Sequence, residues 1–146
     1  MKKGYTLVEL LAVLALLATI LTLIAVNAFY FADKRKRKDY QNIKEIIVEN
    51  AKILVNTNKN VSKIVDYNLQ SLQSSDSDEV SCILSYDKLV DYDLMDADTK
   101  NPITNEVLYK NDKWIKISLK NYNFSYEYIE DLEGNTFTNC LTPISQ

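Results

Sequence analysis

Histidine is absent from this chain of 146 residues, and glycine, proline and cysteine occur only twice each. Without histidine the chain lacks the commonest general base and metal ligand. No serine or cysteine has the imidazole that the familiar catalytic triads use. The two cysteines, Cys82 and Cys140, lie far apart and do not form a metal-type pair. These absences predict a protein that is not an enzyme and that needs no cofactor or metal. In an oxidising compartment Cys82 and Cys140 are expected to form one disulfide, and in the cytoplasm to stay free thiols. A bridge between them would close a loop of nearly sixty residues, worth ~4 kcal/mol in the chain-entropy description.

Charge is unevenly spread. Formal net charge is −3, yet residues 1–38 hold seven of the 17 basic residues and only two acidic ones, Glu9 and Asp33. The remainder carries ten basic and eighteen acidic residues. An acidic head of this kind is soluble and poorly suited to hold nucleic acid electrostatically.

The run from Tyr5 to Ala32 is apolar apart from Thr6, Glu9, Thr19, Thr22 and Asn27, and contains neither proline nor glycine. This predicts an unbroken helix of roughly 40 Å, enough to cross a hydrocarbon core of ~30 Å. The run exceeds the apolar core of a cleaved secretory signal, although Val26-Asn27-Ala28 has the form of a small-residue cleavage site before Phe29. Two features are foreign to a plain anchor: Gly4 just ahead of the run, and the carboxylate Glu9 inside its first turns. Gly4 allows a protease to approach the backbone closely. An ionised Glu9 in hydrocarbon costs a few kcal/mol unless paired, so it is expected to act as an assembly charge, the alternative being a place at headgroup level where it needs no partner.

Lys34-Arg35-Lys36-Arg37-Lys38 comes directly after the run. It is expected to form a collar touching lipid headgroups, with phosphates of DNA as an alternative contact. It outweighs Lys2-Lys3, so charge bias alone would place the C-terminal part of the chain in the cytoplasm, whereas the Gly4 and Glu9 pattern argues for the outside.

From Asp39 a polar face appears. Tyr40, Ile43, Ile47, Ala51 and Leu54 recur at three and four residues, with Ile46 and Ile53 widening the stripe. The pattern fades at Asn56–Asn60, so one helix is expected from Tyr5 to about Asn56, roughly 80 Å long. Its first half then needs cover from membrane or from other copies. A short second helix is expected within Val61–Gln73, a loop over Ser74–Glu79, and a strand near Val80–Leu84. A helix N-capped by Ser85 should come next, carrying Tyr86, Leu89 and Val90. Asp91, Asp93, Asp96 and Asp98 lack the spacing and glycine of an EF-hand loop and are expected to form a solvated acidic loop. Asn101-Pro102 opens a turn. Ile115–Leu119 and Phe124–Tyr128 alternate with period two and form a hairpin about Asn121-Tyr122-Asn123. After the turn Glu133-Gly134-Asn135, a third strand is expected near Thr136–Leu141. The expected fold class is α+β: a long N-terminal helix, apolar half then amphipathic half, packed against a small antiparallel β-sheet head.

Gly4, an aromatic residue, Thr6-Leu7-Val8, a lone Glu9 five residues after the glycine, and the uninterrupted apolar tail resemble the N-terminus of type IV prepilins and pseudopilins. The likeness covers residues 1–57 well. More loosely, Leu89-Val90 through Lys100-Asn101-Pro102-Ile103-Thr104-Asn105 and the hairpins after it look like heads of Gram-positive pilins. There a Pro-x-Thr-Gly turn is familiar; Asn105 stands in place of its glycine, as a left-handed position tolerates. Tyr5 replaces the usual phenylalanine, and no proline kinks the apolar half.

The resemblance implies a leader over residues 1–4, a helix over 5–57 with 5–32 as transmembrane segment and filament core, and a head over 58–146. A membrane-embedded prepilin peptidase would cut between Gly4 and Tyr5, and Tyr5 would be N-methylated. An ATP-driven platform would then draw subunits from the cell membrane, heads outside, into a surface filament of like copies and other pilins. The new α-ammonium of a neighbouring subunit would neutralise Glu9. Competing expectations are a membrane-anchored or secreted binding module, and a minor pilin that takes up DNA through Lys34–Lys38.

Overall fold

A computed structural model describes residues 6–73, 79–132, 134 and 136–142. The chain divides into two compact units, Met1–Lys38 and Asp39–Gln146. The boundary falls inside the first helix, α1 (Leu7–Thr57).

In the first unit α1 is a bare apolar rod, with every large apolar side chain from Leu7 to Phe31 exposed. Its few polar side chains bond to its own backbone. Thr19 and Thr22 donate to carbonyls three residues back, at 2.8 Å each, and Asn27 Nδ2 donates to Leu23 O at 2.9 Å. These bonds remove most of the cost of placing hydroxyls and an amide in an apolar medium.

In the second unit α1 becomes amphipathic. Tyr40, Ile47, Ala51, Leu54 and Val55 are buried, and Ile43 packs against the core. Ile46 and Ile53 remain exposed, contrary to the expected widening of the stripe. At 3.6 residues per turn they lie about 120° round from its centre, and Val55 occupies the near flank instead. Asn58 breaks α1 and N-caps α2 (Lys59–Leu72): its side-chain oxygen accepts from the amides of Asn60 and Val61.

Strand β1 (Glu79–Ser85) is next, so Glu79 belongs to the sheet; the rest of the expected loop, residues 74–78, lies outside the described residues. Ser85 caps α3 (Tyr86–Asp91) by accepting from Asp87 N at 3.1 Å. An irregular segment leads to β2 (Trp114–Lys120) and β3 (Asn123–Ile129), and β4 (Thr138–Asn139) ends the described fold.

The architecture is α+β, with strand order β3-β2-β1-β4. The sheet is mixed rather than wholly antiparallel. β1–β2 and β2–β3 are antiparallel, but β4 pairs parallel with β1, Cys82 opposite Thr138. The reason is positional. The hairpin leaves two edges, β3 and the far side of β1, and the Cys82–Cys140 bridge together with the Asn68 bonds holds the last strand beside β1.

The hairpin turn is tighter than expected. Only Asn121 (φ 49°) and Tyr122 (φ 63°) lie outside the ladder, and Asn123 pairs with Lys120. Two consecutive positive φ values define the turn whose twist matches the strands. Tyr122 occupies a position that glycine fills without strain, and it is 95% exposed.

The core fills the space between the sheet face and the helices, joining Ile47 and Leu54 of α1, Val65 and Leu69 of α2, Leu84, Tyr86, Leu89, Ile115 and Ile117. Tyr86 is fully buried and donates to Asp96 O at 2.9 Å, anchoring the loop after α3; burial raises its phenol above the usual range. Cys82 and Cys140 are joined in a disulfide inside this core.

Beside it Asn68, with no exposed surface, donates to Cys140 O at 2.8 Å and Thr142 O at 3.0 Å. These bonds hold the end of the described chain against α2. Asn68→Asp would turn a carboxyl group toward those carbonyls and remove both donors. We expect a loss of about 3 kcal/mol at neutral pH. Burial and the facing oxygens would raise the introduced group's folded pKa above its unfolded value of roughly 4. The penalty should therefore shrink as pH falls toward that value and grow above it. Urea unfolding of the full chain in micelles, followed through Trp114, measures it at each pH.

Candidate functional site

Gly4 and Tyr5, the expected cleavage and methylation positions, lie outside the described residues. The first described residue, Thr6, is the N-cap of α1. Its side-chain oxygen accepts from Glu9 N at 3.3 Å, and Glu9 Oε2 accepts in return from Thr6 N at 3.2 Å and Thr6 Oγ1 at 3.3 Å. This reciprocal pair is a capping box, which satisfies amides left unpaired at a helix start. Its signal in the sequence is Thr6-x-x-Glu9 ahead of an apolar run. Reading Glu9 only as an assembly charge misses it.

The box uses one carboxylate oxygen. Among the described residues Oε1 of Glu9 has no partner, and no cation faces it. The other polar side chains between Leu7 and Asn27 are uncharged, and each donates to a carbonyl of the helix itself. Glu9 is therefore the one group in this stretch with charge and acceptor capacity left for something outside the chain. Cationic groups are the matching chemistry, since a carboxylate in a dry medium must be paired.

By length and composition α1 is able to cross a membrane. At the end of its apolar stretch Phe29, Tyr30 and Phe31 are exposed, and Lys34, Arg35, Lys36, Arg37 and Lys38 are all exposed behind them. None of these five cations has a carboxylate partner among the described residues. At about 100° per residue they surround the helix instead of forming a stripe.

Of the residues expected to form a solvated acidic loop, Asp91 is the last residue of α3, while Asp93, Asp96 and Asp98 lie exposed after it. Asp91 pairs with Lys88 at 2.8 Å, and Asp96 O takes the Tyr86 and Thr99 hydroxyls. Among the described residues no group of three or more carboxylates or thiols is placed to hold a metal. In the Pro102-Ile103-Thr104-Asn105 turn, Asn101 Oδ1 accepts from Ile103 N at 2.8 Å, and Asn105 sits at φ 62°, the conformation a glycine would take.

One polar cluster has no counterpart among the sequence expectations. Tyr40 of α1 and Tyr128 of β3 meet through their hydroxyls at 3.4 Å, while Lys44 reaches Glu130 at 3.2 Å and lies over the Tyr40 ring. Burial, then the bond to Tyr40, holds the Tyr128 phenol far above its ordinary pKa. The cluster fastens α1 to the sheet edge. Its members are distant in sequence, so periodicity does not reveal it.

No curated protein and no solved structure matches the chain. Residues 1–25 match the family model described as the prokaryotic N-terminal methylation motif. The start of this chain is thus a prepilin-type cleavage and methylation motif leading into an apolar helix.

Proposed function

We propose that the protein is a structural subunit of a type IV pilus or pseudopilus, cut after Gly4, methylated on Tyr5 and assembled through the apolar part of α1. The observation that carries this reading is the motif over residues 1–25 running directly into a helix whose apolar side chains from Leu7 to Phe31 are all uncovered. Such a surface needs lipid or copies of itself around it. The proposed order is leader 1–4, helix 5–57 with 5–32 as membrane and filament segment, and head 58–146. The subunit waits in the cell membrane with its head outside. Prepilin peptidase and an ATP-driven platform then pass it into a filament with other pilins. The Cys82–Cys140 disulfide favours a head in an oxidising compartment and outweighs the charge bias of Lys34–Lys38. Catalysis has no part in this role.

The test is the N-terminus of the native protein, read by mass spectrometry and sequencing. Tyr5 as first residue, carrying an added methyl group, is the expected result. A retained Met1 would make the chain a static membrane anchor, and Phe29 as first residue a secreted module; either overturns the proposal.

A further inference from the structure

Among the described residues no strand pairs with the outer edge of β3. The turn at Asn121-Tyr122 makes Lys120 and Asn123 a hydrogen-bonded pair, and alternation then directs the backbone groups of Asn123, Ser125, Glu127 and Ile129 toward β2. The amides and carbonyls of Phe124, Tyr126 and Tyr128 point the other way. No described residue bonds to them. Natural sheets blunt such an edge with proline, lysine, a bulge or a covering element. Here β3 has neither proline nor lysine along its seven residues.

Beside this edge runs an open groove. One wall is α1, through Glu45, Val48 and Lys52; the other is β3, through Tyr126 and Glu127. Lys52 is held by Glu49, and Lys44 by Glu130. Glu45 has no cationic partner among the described residues, and Glu127 forms no ion pair there although Lys116 stands across the ladder from it. The charge left over in the groove is therefore negative.

We infer that this groove binds an extended, basic peptide segment of another protein, which adds to β3 as a fifth strand. The backbone groups on offer recur every second residue, the spacing another strand supplies. Side chains of the added strand alternate in direction. One set would lie on Val48 and Tyr126, which asks for apolar residues, and the other toward the Glu127 side, which asks for lysine or arginine. This holds whether or not the protein forms filaments.

The test uses the full chain in uncharged micelles and a blocked seven-residue peptide of alternating lysine and valine. Hydrogen exchange at the amides of Phe124, Tyr126 and Tyr128 is read by NMR. The expected result is fast exchange alone and slowed exchange with the peptide. The matching glutamate–valine peptide should bind about fivefold more weakly, as one exposed charge contact turned from attraction to repulsion implies. Phe124→Pro removes one outward amide without touching the β2 ladder, as an edge strand tolerates, and should lose the protection. Phe124→Val should retain it. Exchange unchanged by the lysine peptide overturns the proposal. So does slow exchange that depends on protein concentration without peptide, since the edge would then be occupied by a second copy.

Discussion

Glu9→Gln is expected to abolish filaments while leaving membrane insertion, cleavage after Gly4 and the start of α1 intact. Glutamine at the third helical position still reaches back to the Thr6 amide, so the capping box survives. Only the charge is removed. If an α-ammonium from a neighbouring subunit pairs with Glu9, that charge fixes the register of helices that otherwise slide past one another on apolar contacts, much as a lone polar residue does in a coiled coil. Glu9→Val removes charge and cap together, adding a loss of about 1 kcal/mol at the helix start. Filament yield, judged from sheared surface material by electron microscopy, separates the two roles. If Glu9→Gln assembles like the parent and Glu9→Val does not, the carboxylate serves the helix cap. If both assemble normally, the proposed pairing fails.

The second large effect concerns the bridge between β1 and the residue after β4. Replacing Cys82 and Cys140 together with serine is expected to lower stability by about 4 kcal/mol, the chain-entropy value for a closed loop with a sequence separation of 58. That is a large fraction of the roughly 5–15 kcal/mol typical of a whole domain. The loop enclosed contains α3, β2 and β3, so the reduced chain gains freedom over most of the sheet. Without the bridge β4 keeps only the two-residue pairing with β1, the bond from Cys140 N to Ile83 O at 2.8 Å, and the Asn68 contacts. Because Asn68 and the disulfide hold the same segment, combining Asn68→Asp with the serine pair should cost less than the sum of the separate losses. Urea unfolding with and without reductant checks the main effect, and a midpoint unmoved by reduction would contradict it.

Much of the local structure was legible because short-range periodicity reports it. The apolar run, the stripe from Tyr40 to Leu54, the alternation in β2 and β3, and Ser85 as a cap each depend on neighbours within a few residues. The same holds for the motif over residues 1–25. Apolar character alone does not bury a helical residue. Ile46 and Ile53 are apolar, yet their angular position on α1 leaves them in solvent.

The residues alone thus imply a membrane-length helix with a methylation motif at its start, an acidic α+β head, and the hairpin within it. Four features came only from the folded chain: the parallel strand beside β1, the hold of Asn68 on Cys140 and Thr142, the clasp of Tyr40 and Tyr128 between α1 and the sheet, and an outer β3 edge that no described strand pairs. Each of these joins residues tens of positions apart. Such contacts depend on how the core closes and which strand edge remains to be paired, and no local period encodes that.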